Sequence, residues 1–317
     1  MKRFWLILGI VAVAGVVLMG AGLALGMVPN LLVDRDGVHV GDAHRQQFSS
    51  GDLGGITGLD IKVGSSRVEI IPTEQTGASL NVDCERNLPV TWSVENGVLR
   101  VRQGFDFLGA VFSFNFGIRE DIIQVYVPRN LELDRVKIEG SSGSLNVSGL
   151  NCRSFDASIS SGKMNISRVS ADEFRGHTTS GACVLDDCRG DAMNLSLTSG
   201  KIEMSEIDAG LLRLSASSGT VRGSGVKAQG LSARTTSGSV RLAGELKGDS
   251  TIEVASGTCI VETTGSQKDY SRYVSVNSGT VTVNGTKVHG NDTDAAAPHS
   301  VRVKVTSGTA RLVFLDD

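Results

Sequence analysis

The chain has 317 residues, with 39 glycines against 5 prolines and 40% apolar residues. That composition excludes collagen and a Pro/Gly-rich disordered chain, and it leaves enough apolar mass for a core. With 31 basic and 34 acidic residues the net charge is -3, so no overall field exists to hold nucleic acid.

Lys2 and Arg3 precede an uncharged run over 4–28, whose helical length of ~37 Å exceeds the ~30 Å hydrocarbon core. The run predicts one transmembrane helix within 1–28. It is longer than the apolar region of a cleaved signal peptide, although Ala24-Leu25-Gly26 resembles a cleavage site. The basic residues ahead of it favour a cytoplasmic N-terminus. The expectation is a single-pass protein of the bacterial cell membrane with its C-terminal domain outside the cytoplasm. Residues 29–58 carry several glycines and no clear period, and they read as a tether.

Residues 59–135 predict irregular β structure that caps the regular repeats C-terminal to it. Leu59, Ile61, Val63, Val68 and Ile70 alternate like one coil of the later repeat, with Ser66 where a Gly is expected. Asn96-Gly97 predicts a two-residue hairpin that pairs Val94 with Leu99 and Trp92 with Val101. Half of the 10 Phe residues then crowd into 105–116, at 105, 107, 112, 114 and 116. Such an insertion either folds over the open end of the domain or leaves Phe112, Phe114 and Phe116 exposed to a membrane surface or partner. The apolar alternation Ile122 to Val127, closed by Pro128, leads into the regular part.

Residues 136–317 carry an internal repeat. Ser-Gly pairs end at Gly143, Gly162, Gly181, Gly200, Gly219, Gly238 and Gly257, every step being 19 residues. Gly279 and Gly308 follow after 22 and 29 residues, which reads as the same repeat with loop insertions. Apolar residues alternate on both sides of each Gly, as in Leu145/Val147 after Gly143 and Phe155/Ala157/Ile159 before Gly162. A further apolar column stands seven places after the Gly: Leu150, Val169, Cys188, Ile207 and Val226. Period two around a fixed Gly means short strands joined at a corner. Stacking such units buries each column against its copies, which predicts an all-β fold, a β-solenoid of 19-residue coils. The glycines are expected to supply positive φ at the corners, and the preceding Ser or Thr hydroxyls to bond the corner amides. The last strand, with Asp316 and Asp317, is expected to close the far end against strand pairing.

The run Leu133-x-x-Val136-x-Ile138 into Ser141-Ser142-Gly143-Ser-Leu145-x-Val147 resembles the bacterial β-strand-repeat family of proposed adhesins of unknown function. The resemblance covers roughly 59–315. It implies the layout of the single-span, LiaG-like envelope proteins and an association with envelope stress, and it brings no catalytic residues.

Little in the sequence resembles catalysis. The outward columns three places after the Gly and four places before it stack no two acids in adjacent coils, whereas polysaccharide-cleaving β-helices need clustered carboxylates. Asp186, Asp187 and Asp191 read as a solvated turn. The five His residues (39, 44, 177, 289 and 299) lack metal-site spacing, although His289 and His299 flank Asp292 and Asp294. The five Cys residues (84, 152, 183, 188 and 259) cannot form a complete disulfide set, and a Cys183–Cys188 pair within one coil stays open. Arg175, Arg213, Arg222, Arg234 and Arg241 give the middle coils basic density that suits an anionic envelope polymer or a solvated face. The expectation is a non-catalytic, membrane-anchored binding or scaffold protein of the envelope, without cofactor or metal, partnered by the membrane and by envelope proteins or anionic polymers. A β-helix enzyme acting on wall polysaccharide and a self-associating rod are the alternatives.

Overall fold

In the computed structural model the described residues are 30–34, 37–40, 45–85, 89–104, 110–115, 120–288 and 297–316. The run over 4–28 lies outside them, and among the described residues no helix is long and apolar enough to cross a membrane. The segment read as a tether carries three strands, Asn30–Asp34, Gly37–Val40 and Arg45–Ser49.

The body is a parallel β-solenoid. Strand Ser144–Ile159 pairs in register with Lys163–Thr178, which pairs in turn with Ala182–Leu197, Lys201–Ala216, Thr220–Thr235 and Ser239–Val254. Within Ser144–Ile159 the buried residues are Leu145 and Val147, then Leu150 and Cys152, then Phe155, Ala157 and Ile159. The alternation slips twice, so each coil presents three inward runs. The same columns stack layer on layer into one apolar core, where the rings of Phe155 and Phe174 lie 4.8 Å apart. A fully buried side chain of this kind contributes about 1.5–3 kcal/mol.

The corner glycines differ from expectation. None of the nine has positive φ. Each is required because successive coils nearly touch there: a Cβ on Gly162 would run into the carbonyl oxygen of Gly143, and one on Gly200 into that of Gly181. Among the described residues the Ser and Thr hydroxyls serve the corner amides at one place, where Thr178 Oγ1 accepts from Gly181 N at 3.1 Å; the corners are otherwise held by backbone bonds between layers. The corner amides donate to carbonyls one layer below, Ser180 N to Ser160 O at 2.7 Å and Ala182 N to Gly162 O at 3.0 Å. The left-handed corner stands six residues after each of the first five glycines, at Gly149, Arg168, Asp187, Glu206 and Gly225, with φ between 48° and 63°.

At both ends the stacking order departs from chain order. Strand Gly58–Val63 lies between Val98–Gln103 and Glu132–Gly140, with Ile61 beside both Val101 and Ile138. Arg67–Thr73 likewise lies between Ile122–Pro128 and Ser144–Ile159. The first coil in sequence is therefore the second in space. Its Ser66 sits buried beneath Gly143. Toward the layer below, Gln103 packs against Ser66, donating from Nε2 to Ser66 Oγ at 2.6 Å. Beyond this lowest layer come antiparallel strands, Val90–Glu95 on Val98–Gln103 and Ser79–Glu85 on Ile122–Pro128, with Arg45–Ser49 outside the latter. The Asn96-Gly97 turn has φ of 52° and 76°, and its register pairs Val94 with Leu99 and Trp92 with Val101.

At the other end, His299–Val305 and Thr309–Phe314 insert between the last 19-residue coil and the coil made of Tyr270–Val276 and Thr280–Val283. Gly308 packs on Gly257, and Gly279 on Gly308. The 29-residue step is thus a return of the chain into the stack, not one more coil with a longer loop. The final strand is paired on both sides, and Asp316 accepts from Gly265 N at 2.6 Å. The exposed end is instead formed by Tyr270–Val276 and the hairpin of Thr280–Val283 with Thr286–Val288. Asp317 lies outside the described residues.

Candidate binding face

Outward side chains meet their copies ~4.8 Å away, so like charges in one column repel and opposite charges hold the register. Three columns alternate in sign. Arg100, Asp60, Lys137, Asp156 and Arg175 follow one another in successive layers. Arg189, Asp208, Lys227 and Glu245 form a second such ladder. In a third, Arg234 bonds Glu253 at 2.5 Å and Glu253 stacks under Lys304.

The basic density read from the sequence divides between two faces. Arg175, Arg213 and Arg234 lie on the strands that precede each Ser-Gly corner. There Arg175 pairs with Glu173 at 2.8 Å, Arg234 with Glu253, and Arg213 reaches Asn194 Oδ1 at 3.4 Å. A shallow groove of about 490 Å³ runs between Arg213 and Arg234, floored by Ser196, Ser215, Ser232 and Thr251. Arg222 and Arg241 lie on the strands after the corner, stacked directly on each other and exposed. Neither forms an ion pair among the described residues; Glu203, one layer below Arg222, is held by Lys201 at 2.5 Å. Another like-charged pair of neighbours, Lys62 and Arg102, is matched by Glu139 at 3.4 Å and by Asp60 at 2.5 Å.

The inserted last coil extends this face. Arg311 stacks on Ile260, which stacks on Arg241. Three guanidiniums without an ion pair among the described residues therefore line one face across about 14 Å, at ~4.8 Å per layer, beside Thr220, Ser239, Thr258 and Thr309. Guanidinium forks flanked by hydroxyls suit carboxylate or phosphate groups. Counting offsets from the glycines separates Arg222 and Arg241 from the other three, but only the fold shows that Arg311 joins them.

The remaining sequence candidates fall in several places. All five thiols are free and buried, so Cys183 and Cys188 are not bridged. Burial pushes the thiols of Cys84, Cys152 and Cys259 up to about 12 and raises those of Cys183 and Cys188 as well. Protonated and enclosed, they are poor nucleophiles. Asp187 is one of the left-handed corner residues, with Asp186 beside it on the surface. His177 Nδ1 lies 2.8 Å from Ser196 Oγ; His299 Nδ1 accepts from Gly248 N at 3.0 Å, and its ring packs on Tyr270. His44, His289, Asp292, Asp294 and Phe116 lie outside the described residues, and among the described ones no group of three or more metal-ligating side chains occurs. Phe112 and Phe114 belong to strand Ala110–Asn115, whose backbone pairs with Asn30–Asp34.

A family model described as Toastrack DUF4097 matches residues 56–312. The chain belongs to that family. The solved structures it resembles include a proposed lipid-binding protein from Parabacteroides distasonis, 15% identical, with a TM-score of 0.53 over 86% of this chain and 98% of that one. A proposed adhesin from the same species is 14% identical, with a TM-score of 0.46 over 86% and 98%. One from Bacteroides fragilis is 11% identical, with a TM-score of 0.43 over 85% and 97%. No curated protein matches the sequence. At these identities the Parabacteroides lipid-binding structure supports the Toastrack architecture alone.

Proposed function

We propose that this Toastrack protein is a non-catalytic, adhesin-like binding rod of the bacterial envelope, held to the membrane by the run over 4–28 and presenting Arg222, Arg241 and Arg311 to an anionic surface polymer. The observation that carries the reading is the stack of Arg222 on Arg241. On a surface where several columns alternate in charge layer by layer, an uncompensated basic pair costs stability, and a bound anion would repay it. The buried thiols and the charge-alternating ladders support binding over chemistry. The run over 4–28 and the basic residues before it support an anchored rod whose body lies outside the cytoplasm, and the family resemblance supports a link to envelope stress.

The test uses the full chain in nanodiscs, passed over immobilised polygalacturonate, a glycerol-phosphate polymer and neutral dextran. Retention on the two polyanions, weakened by salt and lost in an Arg222→Ser/Arg241→Ser variant, is expected. Equal retention on dextran, or an unchanged double variant, refutes the reading. The carboxylate and phosphate columns distinguish the two kinds of anion.

A further inference from the structure

Strand Val90–Glu95 is the antiparallel neighbour of Val98–Gln103 in the lowest layer, with Trp92 opposite Val101 and Val94 opposite Leu99. Directly paired residues share a face of the sheet. Leu99 and Val101 are fully buried against the coil above. Trp92 and Val94, one strand further out, each remain 39% exposed. Trp92 stacks on Phe48 at 6.4 Å, so the foot of the rod ends in an aromatic and aliphatic surface continuous with the core.

The Phe-rich segment follows Gly104 of the same layer in the chain. Its strand Ala110–Asn115 pairs with Asn30–Asp34, setting Phe114 opposite Leu31 and Phe112 opposite Val33. Asn30 follows the uncharged run over 4–28 by two residues. Backbone pairing therefore ties the strand that follows the foot of the rod in the chain to the residues just beyond the C-terminal end of the run that would enter the bilayer. The occupant of the apolar foot is argued from this connection, because a lipid surface is what the chain itself brings to that end.

We propose that the N-terminal end of the solenoid rests on the lipid surface, with Trp92 and Val94 at the boundary of headgroups and acyl chains. Trp favours that boundary because its ring is apolar and its N–H finds partners among the headgroups. Docking would stand the rod on the membrane and turn the Arg222 face sideways, along the envelope. The inference rests on the anchor reading above, and its test separates the two.

The chain has two tryptophans, Trp5 and Trp92. A full-length Trp5→Phe variant leaves Trp92 as the sole reporter without touching the solenoid. It is reconstituted in phosphatidylcholine vesicles with and without brominated acyl chains, and flotation is read on the same sample. Loss of most Trp92 emission in the brominated vesicles, with weak quenching by aqueous acrylamide, is the expected result. A chain that floats while acrylamide quenches Trp92 and bromine does not overturns the docking and leaves the anchor standing. Floating chain quenched by neither means that a protein surface, such as a second copy, covers the foot, and this also overturns the docking. Failure to float overturns both.

Discussion

Replacing Gly200 by Ala tests why glycine stands at the corners. The added Cβ would approach the Gly181 carbonyl oxygen closer than the 3.0 Å that real Cβ atoms keep. Relief requires the two layers to part locally, which strains Lys201 N to Gly181 O at 3.0 Å and Ser199 N to Thr179 O at 2.7 Å. Weakening two backbone hydrogen bonds costs ~1 kcal/mol each, and overpacking adds ~1–3 kcal/mol, so the loss is about 3–5 kcal/mol. For a domain of this size that lowers Tm by about 10 °C. Gly285→Ala is the internal control: its φ is 80°, and nothing lies within 4 Å of the added Cβ. Its cost is the left-handed penalty alone, ~1–2 kcal/mol. Thermal and urea unfolding of both variants, followed by circular dichroism, gives the comparison. Should Gly200→Ala cost no more than Gly285→Ala, the contact between layers is not what selects glycine.

Three further outcomes are expected. Glu206→Gly, which places glycine at a left-handed corner with φ of 51°, should raise stability by about 0.5–1 kcal/mol in urea unfolding, since strain at that position is relieved. The buried thiols keep protons that the unfolded chain releases above its ordinary value of 9.0, being pushed up to about 12 at Cys84, Cys152 and Cys259. Their contribution to stability is therefore complete below pH ~9 and declines as the pH rises toward 12, which urea midpoints across that window should show. Arg241→Thr should leave stability unchanged or raise it by about 0.2–1 kcal/mol, because a like-charge contact disappears; a marked fall in the urea midpoint would mean that Arg241 has a structural partner.

The period and the inward columns were legible in the sequence because each coil must solve the same burial problem with 19 residues. The hairpin at Asn96-Gly97 was legible because its turn needs two residues at positive φ. The end coils were not. An inward pattern such as Val301, Val303 and Val305 fits any layer equally well, and nothing local says that it slides between Val254 and Val276 instead of following the latter. The corner glycines misled for a related reason: glycine answers either to a left-handed backbone or to a close approach, and sequence alone cannot separate the two. The real left-handed column hid behind Arg168, Asp187 and Glu206, whose side chains give no hint of it. One charge ladder shares this dependence, since Arg100, Asp60 and Lys137 alternate only in spatial order.

The insertion of the last coil is the claim on which the place of Arg311 in the Arg222 face rests, and engineered disulfides test it most directly. Ile260 and Arg311 are neighbours in adjacent layers, within the ~4.4–6.8 Å Cα separation that a disulfide spans, while Thr282 lies one layer further out. The native thiols are buried and should stay silent under mild oxidation. Ile260→Cys with Arg311→Cys is expected to cross-link in the folded protein, and Ile260→Cys with Thr282→Cys is expected to remain reduced. Cross-linking of the second pair and not the first would contradict the inserted order and remove Arg311 from the face.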